Sequence, residues 1–363
     1  MSPQVQKDKE RLHLRAHLLE FVEESKIPKH KVDQAIQVSS LRADANTWFQ
    51  FTDKLLLILG GLALSFALLF FIAYNWQELG RFAKFALIEV AVILGSVAFI
   101  ARKSKDLVAK IALLCGAMSL GVLMAYYGQT YQTGADAWEL FFNWALLITP
   151  WVLIARFSVL WLLWLGLFNL SLVLYHQTFG SLFWTLFRAN DLLWLLFGFN
   201  LLAWCLWEYM QPKLSWLDDD WSRRVVATVT GFCITWLSID AVIRPFGLTG
   251  FWVWLVWCVG VMLFYQYKKK DLYMLAGGCL SAISVILATL IENVFEFDEA
   301  GSYLLTSVTM IGLGAGSAMW LRSVHSRWLA EALTEKRAEE KATVGDSQKT
   351  QSKQDQSNDG GES

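Results

Sequence analysis

An all-α, polytopic transmembrane helix bundle of about ten spans, preceded by a small cytoplasmic helical hairpin, is the fold class this sequence predicts. Three observations predict it. The chain of 363 residues is 55% hydrophobic and only 17% charged, with a mean hydropathy of +0.40, outside the usual range of a soluble globular domain. Its apolar residues are gathered into blocks close to the ~20 residues that cross a bilayer as helix. The lysines and arginines between those blocks alternate, rich in one connection and sparse in the next. The lipid bilayer is the partner this composition requires, and a formal net charge of -1 gives no reason to expect nucleic acid.

Residues 1–50 read as a cytoplasmic helical hairpin. Leu14, Leu18, Phe21 and Val22 repeat at helical spacing, Ser25 to Pro28 breaks the pattern, and Val32, Ala35, Ile36 and Ser39 resume it. Two helices of this size cannot hold a core alone, so they are expected to pack on the membrane domain or to dock a membrane or cytoplasmic protein partner. No apolar stretch follows a short basic start, so no cleavable signal peptide is expected and the first span serves as the insertion signal.

Residues 51–322 form the ten-span domain, with spans expected at about 55–74, 82–101, 108–127, 138–155, 158–175, 191–208, 225–243, 248–267, 272–291 and 303–321. One set of alternate connections holds ten basic residues: Arg102, Lys103, Lys105, Arg156, Lys213, Arg223, Arg224, Lys268, Lys269 and Lys270. The other holds three: Arg81, Arg188 and Arg244. The rule that cytoplasmic loops are basic makes the first set cytoplasmic, and ten spans then place both termini inside. Residues 323–363 are mostly Gln, Ser, Glu, Lys and Asp, so a disordered tail is expected after a short helical extension. Gly60 and Gly61, Gly277 with Ser281, and Gly312, Gly314 and Gly316 mark expected helix-packing faces.

Two stretches, LGGLALSFALLFFIAYNW (59–76) and GQTYQTGADAWELFFNWALLITP (128–150), follow the hairpin, and over about residues 8–175 the chain resembles the bacterial membrane-protein family of domain of unknown function 2157. The resemblance implies a bacterial inner-membrane location. It supplies no activity and no functional residues.

An ionisable or strongly polar group within the hydrocarbon is costly, so each one is a functional hypothesis. At 1.5 Å of rise per residue, Glu89 lies ~10 Å below the outer boundary, Asn143 ~7 Å, Asn169 ~9 Å, Asn200 ~13 Å and Asp240 ~5 Å. With Tyr127, Gln129 and Asp136 in the loop between the third and fourth spans, these residues form the candidate ligand site, an outward-facing polar pocket. The competing reading joins the Asn residues helix to helix by hydrogen bonds and lets Glu89 snorkel to Lys84 or Arg81. Glu78, Asp136, Glu139, Asp191, Glu292, Glu296, Asp298 and Glu299 add an acidic rim to the same side, as the depletion of Lys and Arg outside already implies.

Trp76, Trp138, Trp207, Trp216, Trp221 and Trp328 fit interfacial belts, while Trp144, Trp164, Trp236 and Trp257 fall deeper, in helix packing or along a cavity. Catalytic and metal sites are not expected, nor is any cofactor. Cys115, Cys205, Cys233, Cys258 and Cys279 sit inside apolar segments with no metal-ligand spacing. His13 and His17 enclose Leu-Arg-Ala without the Glu of a zinc-protease helix. Asp218, Asp219 and Asp220 with Arg223 and Arg224 read as a solvated loop, because no second acidic cluster converges on them.

Three function classes remain: a non-catalytic membrane component that binds a partner protein or lipid, a secondary transporter of a small solute, and an integral-membrane enzyme acting on a lipid-linked substrate. The first is preferred because no catalytic constellation is visible.

Overall fold

The computed structural model describes residues 45–74, 78–102, 106–179, 189–211, 213–214, 217, 220–244, 248–293 and 300–359, the last from 335 as backbone alone, with isolated positions before residue 45. Within these, ten helices are long and apolar enough to cross a membrane, and no strand occurs among the described residues. They are α1 (Ala45–Tyr74), α2 (Arg81–Ala101), α3 (Leu107–Tyr131), α4 (Ala137–Ala155), α5 (Ser158–Phe179), α6 (Ala189–Met210), α7 (Asp220–Ile243), α8 (Thr249–Phe264), α9 (Leu272–Asn293) and α10 (Ala300–Asp359). A π-turn over Tyr265–Lys269 extends α8. Every expected span corresponds to one helix.

Local chemistry sets several ends. Asp106 caps α3 by accepting the Val108 N–H at 3.1 Å, and Gln132 closes it in the left-handed conformation with its N–H on the Gly128 carbonyl. Gly134, at φ +67°, completes the turn into α4, whose N-cap is Asp136. Asp271 starts α9 in the same way, its Oδ1 accepting the Tyr273 N–H.

The helices fall into two compact units, 45–259 with 284–296, and 1–44 with 260–283 and 297–363. In the first, α2 pairs with α3, α4 with α5 and α6 with α7, while α1 and α4 both lean on α3. Ile111, Leu113, Leu114 and Ala117 of α3, Ala145, Ile148 and Val152 of α4, and Leu160 and Leu167 of α5 make its main core. The α2–α3 crossing is tightest at Gly95, where an added Cβ would stand 2.5 Å from the Ala112 carbonyl and 2.9 Å from the Gly116 Cα. Gly61 is equally closed, by Ile111, whereas Gly60 meets nothing within 4 Å.

In the second unit the stretch of α10 around Trp328 lies along the π-turn. Val324, Trp328 and Ala332 are buried, the Trp328 indole donates to the Gln266 carbonyl at 3.1 Å, and Lys270 pairs with Glu331 at 2.8 Å. Trp328 is thus a packed anchor and not the belt residue expected. The expected packing glycines Gly277, Gly312, Gly314 and Gly316 have nothing within 4 Å of an added Cβ among the described residues. The backbone of α10 stays helical to Asp359, a longer extension than composition predicts. Of the N-terminal hairpin, a 3₁₀ turn at Lys29–Lys31 follows Pro28, and Leu14, Leu18, Phe21, Val22, Val32 and Ala35 are helical; the hairpin as a whole lies outside the described residues.

Candidate functional site

Asn169 of α5 and Asn200 of α6 come together. The Asn200 amide donates to Asn169 Oδ1 at 2.6 Å, the Asn169 amide donates back to Asn200 Oδ1 at 3.2 Å, and each also donates to its own helix one turn earlier, at Leu165 and Leu196. Asn200 is 2% exposed. With both N–H groups of each carboxamide engaged, this is a closed clasp between two helices.

The other six positions do not join it. Glu89 is exposed on α2 among Val90, Ile93 and Leu94, with no ion pair or hydrogen bond among the described residues. Snorkelling to Lys84 or Arg81 is not what the helix does. Lys84, five residues away and so on another face, is buried with its ammonium 5.9 Å from the Tyr126 ring centroid. Arg81 lies over Phe82 and Tyr131. Tyr127 is exposed and stacks on Tyr131 at 4.7 Å, while Gln129 and Asn143 are exposed. Asp136 is exposed at the start of α4, and Asp240 pairs with Arg244 at 2.9 Å. Lining one water-filled pocket would need these groups to face a common space.

Three of the four deep tryptophans fall under one or other of the two readings, and Trp236 fits neither. Trp144 donates to the Ala117 carbonyl and packs onto Gly121, and Trp164 donates to Thr149 Oγ1, both helix joints. Trp236 is exposed. Trp257 instead lines a groove of about 410 Å³ with Phe197, Leu201, Trp252, Val253 and Val256, between α6 and α8. Its ring sits on Gly231 of α7, where a Cβ would come within 3.1 Å, and its indole nitrogen is buried with no acceptor among the described residues. The wall is almost wholly apolar.

A second constellation was missed by reading Asp218 to Arg224 as a solvated loop. Asp218 and Asp219 lie outside the described residues, but Arg223 is buried, and its guanidinium reaches Asp220 at 3.0 Å, Glu208 at 3.7 Å and the buried Gln211 at 3.4 Å. Glu208 lies in the last turn of α6 and Gln211 just past its end, far enough back in sequence that the loop itself gave no sign of them. Trp207, expected in a belt, is buried beside Trp161. Among the described residues no group of His, Cys, Asp and Glu is placed to hold a metal ion, and the five cysteines are free thiols.

Residues 19–161 match the family model DUF2157, described as a predicted membrane protein. No curated protein and no solved structure matches the chain. The DUF2157 match spans α1 to α4 and enters α5, so it contains Glu89, Tyr127, Gln129, Asp136 and Asn143. The asparagine clasp, the Arg223 cluster and the apolar groove all lie beyond it. The chain is a multi-pass membrane protein by its ten candidate spans and by this match.

Proposed function

We propose that this protein is a non-catalytic component of the bacterial inner membrane, both termini cytoplasmic, that holds a lipid by its hydrocarbon chain. The groove between α6 and α8 carries the reading. Its volume lies in the range of small-molecule sites, and its lining of Phe197, Leu201, Val253, Val256 and two tryptophans suits a hydrocarbon and no polar solute. The orientation rests on the excess of Lys and Arg in alternate loops. A transporter or an enzyme on a lipid-linked substrate would draw support from polar groups lining one cavity. Asn169 and Asn200 instead satisfy each other, and Glu89 stands on an apolar face.

The test is photo-crosslinking of the purified full chain in bilayers containing a phospholipid with a diazirine near the middle of one acyl chain. Adducts concentrated at 197–201 and 252–257, and lost in Val256→Trp, are expected. Labelling no denser there than along the exposed Val90, Ile93, Leu94 and Val97 of α2 would reject the groove as a site.

A further inference from the structure

Two polar side chains within the spans of the first unit meet no hydrogen-bond or ion-pair partner among the described residues. They are Glu89 of α2 and Asn143 of α4, and both are exposed. Their exposed neighbours are aliphatic, Val90, Ile93 and Leu94 beside Glu89 and Leu146 and Leu147 beside Asn143. A carboxyl or carboxamide left against hydrocarbon is costly, and a helix surface that carries one is better explained by something that covers it.

The two positions head matching stripes. On α2 the face of Glu89 continues to Ile93, one turn on, and to Ile100, two turns further; on α4 the face of Asn143 continues at the same steps to Leu147 and Ile154. All four aliphatic residues are exposed. One span, α3, separates α2 from α4 in the chain, so the two cross the membrane in the same direction. Asn143 lies two residues, about 3 Å, nearer the start of its helix than Glu89 does to the start of its own. Both stripes also leave the same side of the α2–α3–α4 layer. Helix α3 meets α2 along Ala112 and Gly116 and α4 along Ala117 and Gly121, and Tyr127 and Tyr131 fall between those rows. Phe85 packs on Tyr131 and Arg81 lies over it, which turns the flank of Glu89, one turn on from Phe85, toward that opening. On α4, Trp144 faces α3 while Phe142 and Thr149 face α5, and Asn143 and Leu147 are left on the open side.

We propose that this face is an interface between two copies of the chain, related by a two-fold axis along the membrane normal, in which the Asn143 amide of each copy donates to the Glu89 carboxyl of the other. Such an axis keeps every residue at its own depth and lays α2 of one copy beside α4 of its partner. Glu89 then meets Asn143, Ile93 meets Leu147 and Ile100 meets Ile154, each pair twice. The longer Glu side chain spans the difference in depth. Within one chain α2 and α4 are held on different flanks of α3, so a second copy supplies the donor that the first cannot. Val90 and Leu94 lie round on the far flank of α2 and stay against lipid, and the apolar groove contributes no residue to the interface.

The experiment puts Ile93→Cys on a full chain with one tag and Leu147→Cys on a full chain with another, in a background with the five cysteines replaced and with Glu89 and Asn143 left in place. Membranes from cells making both are oxidised with copper phenanthroline. A disulfide joining the two tags is expected, and none when Val90→Cys takes the place of Ile93→Cys. Energy transfer between dye-labelled chains in liposomes then gives the dissociation constant of the dimer. Glu89→Leu should raise it about eightfold, two interhelical bonds being lost from each dimer. The exchange Glu89→Asn/Asn143→Glu, which rebuilds the same pair across the axis, should return it to the unaltered value. No joined product above the Val90→Cys level, or an exchange that leaves the constant raised, would overturn the proposal. So would a disulfide from Ile93→Cys to a different membrane protein in place of the second copy. Both polar positions are exposed, so their substitution does not threaten the fold of the single chain, and the lipid labelling of the groove is read independently of either result.

Discussion

Each carboxamide of the Asn169–Asn200 pair donates once across the helix interface and once along its own helix, so removing one partner leaves the other with an unmet bond in a place water does not reach. Asn200→Leu should therefore destabilise the chain by about 0.6 kcal/mol and at most about 1.7 kcal/mol, the range for interhelical bonds in bilayers. The Asn169→Leu/Asn200→Leu double variant should cost less than the two single changes together. Denaturant titration in detergent measures this, and strictly additive losses would mean that the amides do not act as a pair. Arg223 carries larger stakes. It is the cation between Glu208 and Asp220, and Arg223→Ala strands two partly buried carboxylates at a cost on the order of 3 kcal/mol. Arg224→Ala, one residue away and less buried, should lose far less in the same titration; equal losses would sink the special role given to Arg223.

At the scale of helices, close approach decides what a glycine is for. Gly95 faces backbone, the Ala112 carbonyl and the Gly116 Cα, neither of which can give way as a flexible side chain would. Gly95→Ala should push α2 off α3 and lower the melting temperature, while Gly60→Ala, with open space around it, should be neutral or gain up to about 1 kcal/mol from helix propensity. Thermal unfolding of the two variants side by side checks it, and a Gly95→Ala protein as stable as the unaltered chain would remove the tight crossing. The sequence marks Gly60 and Gly61 alike because neighbours on one helix share a composition, while direction belongs to the partner. Gly95 and Gly116 give no motif at all, being single residues on two different helices. The polar positions behave likewise. Rise per residue gives the depth of Glu89 and Asn200 from sequence alone, but the face each presents depends on which helix stands beside it. Glu89 turns outward and Asn200 inward at comparable depth.

The molecule as a whole was legible where a property sums over many residues. All ten spans follow from mean hydropathy across about 20 positions, an average that a few misplaced residues hardly move. The groove and the Arg223 cluster depend on lateral helix order, which no average over a segment contains. Orientation is again a sum, of basic residues over alternate loops, and it can be measured directly. In a background with the five cysteines replaced, Gln132→Cys in the α3–α4 turn and Tyr267→Cys in the π-turn are substitutions at exposed positions that the order of the spans predicts on opposite faces of the membrane. A membrane-impermeant maleimide added to intact cells should label Gln132→Cys alone, and both after lysis. The opposite pattern would put the basic loops outside and overturn both the inner-face assignment of the α8–α9 turn and the cytoplasmic termini.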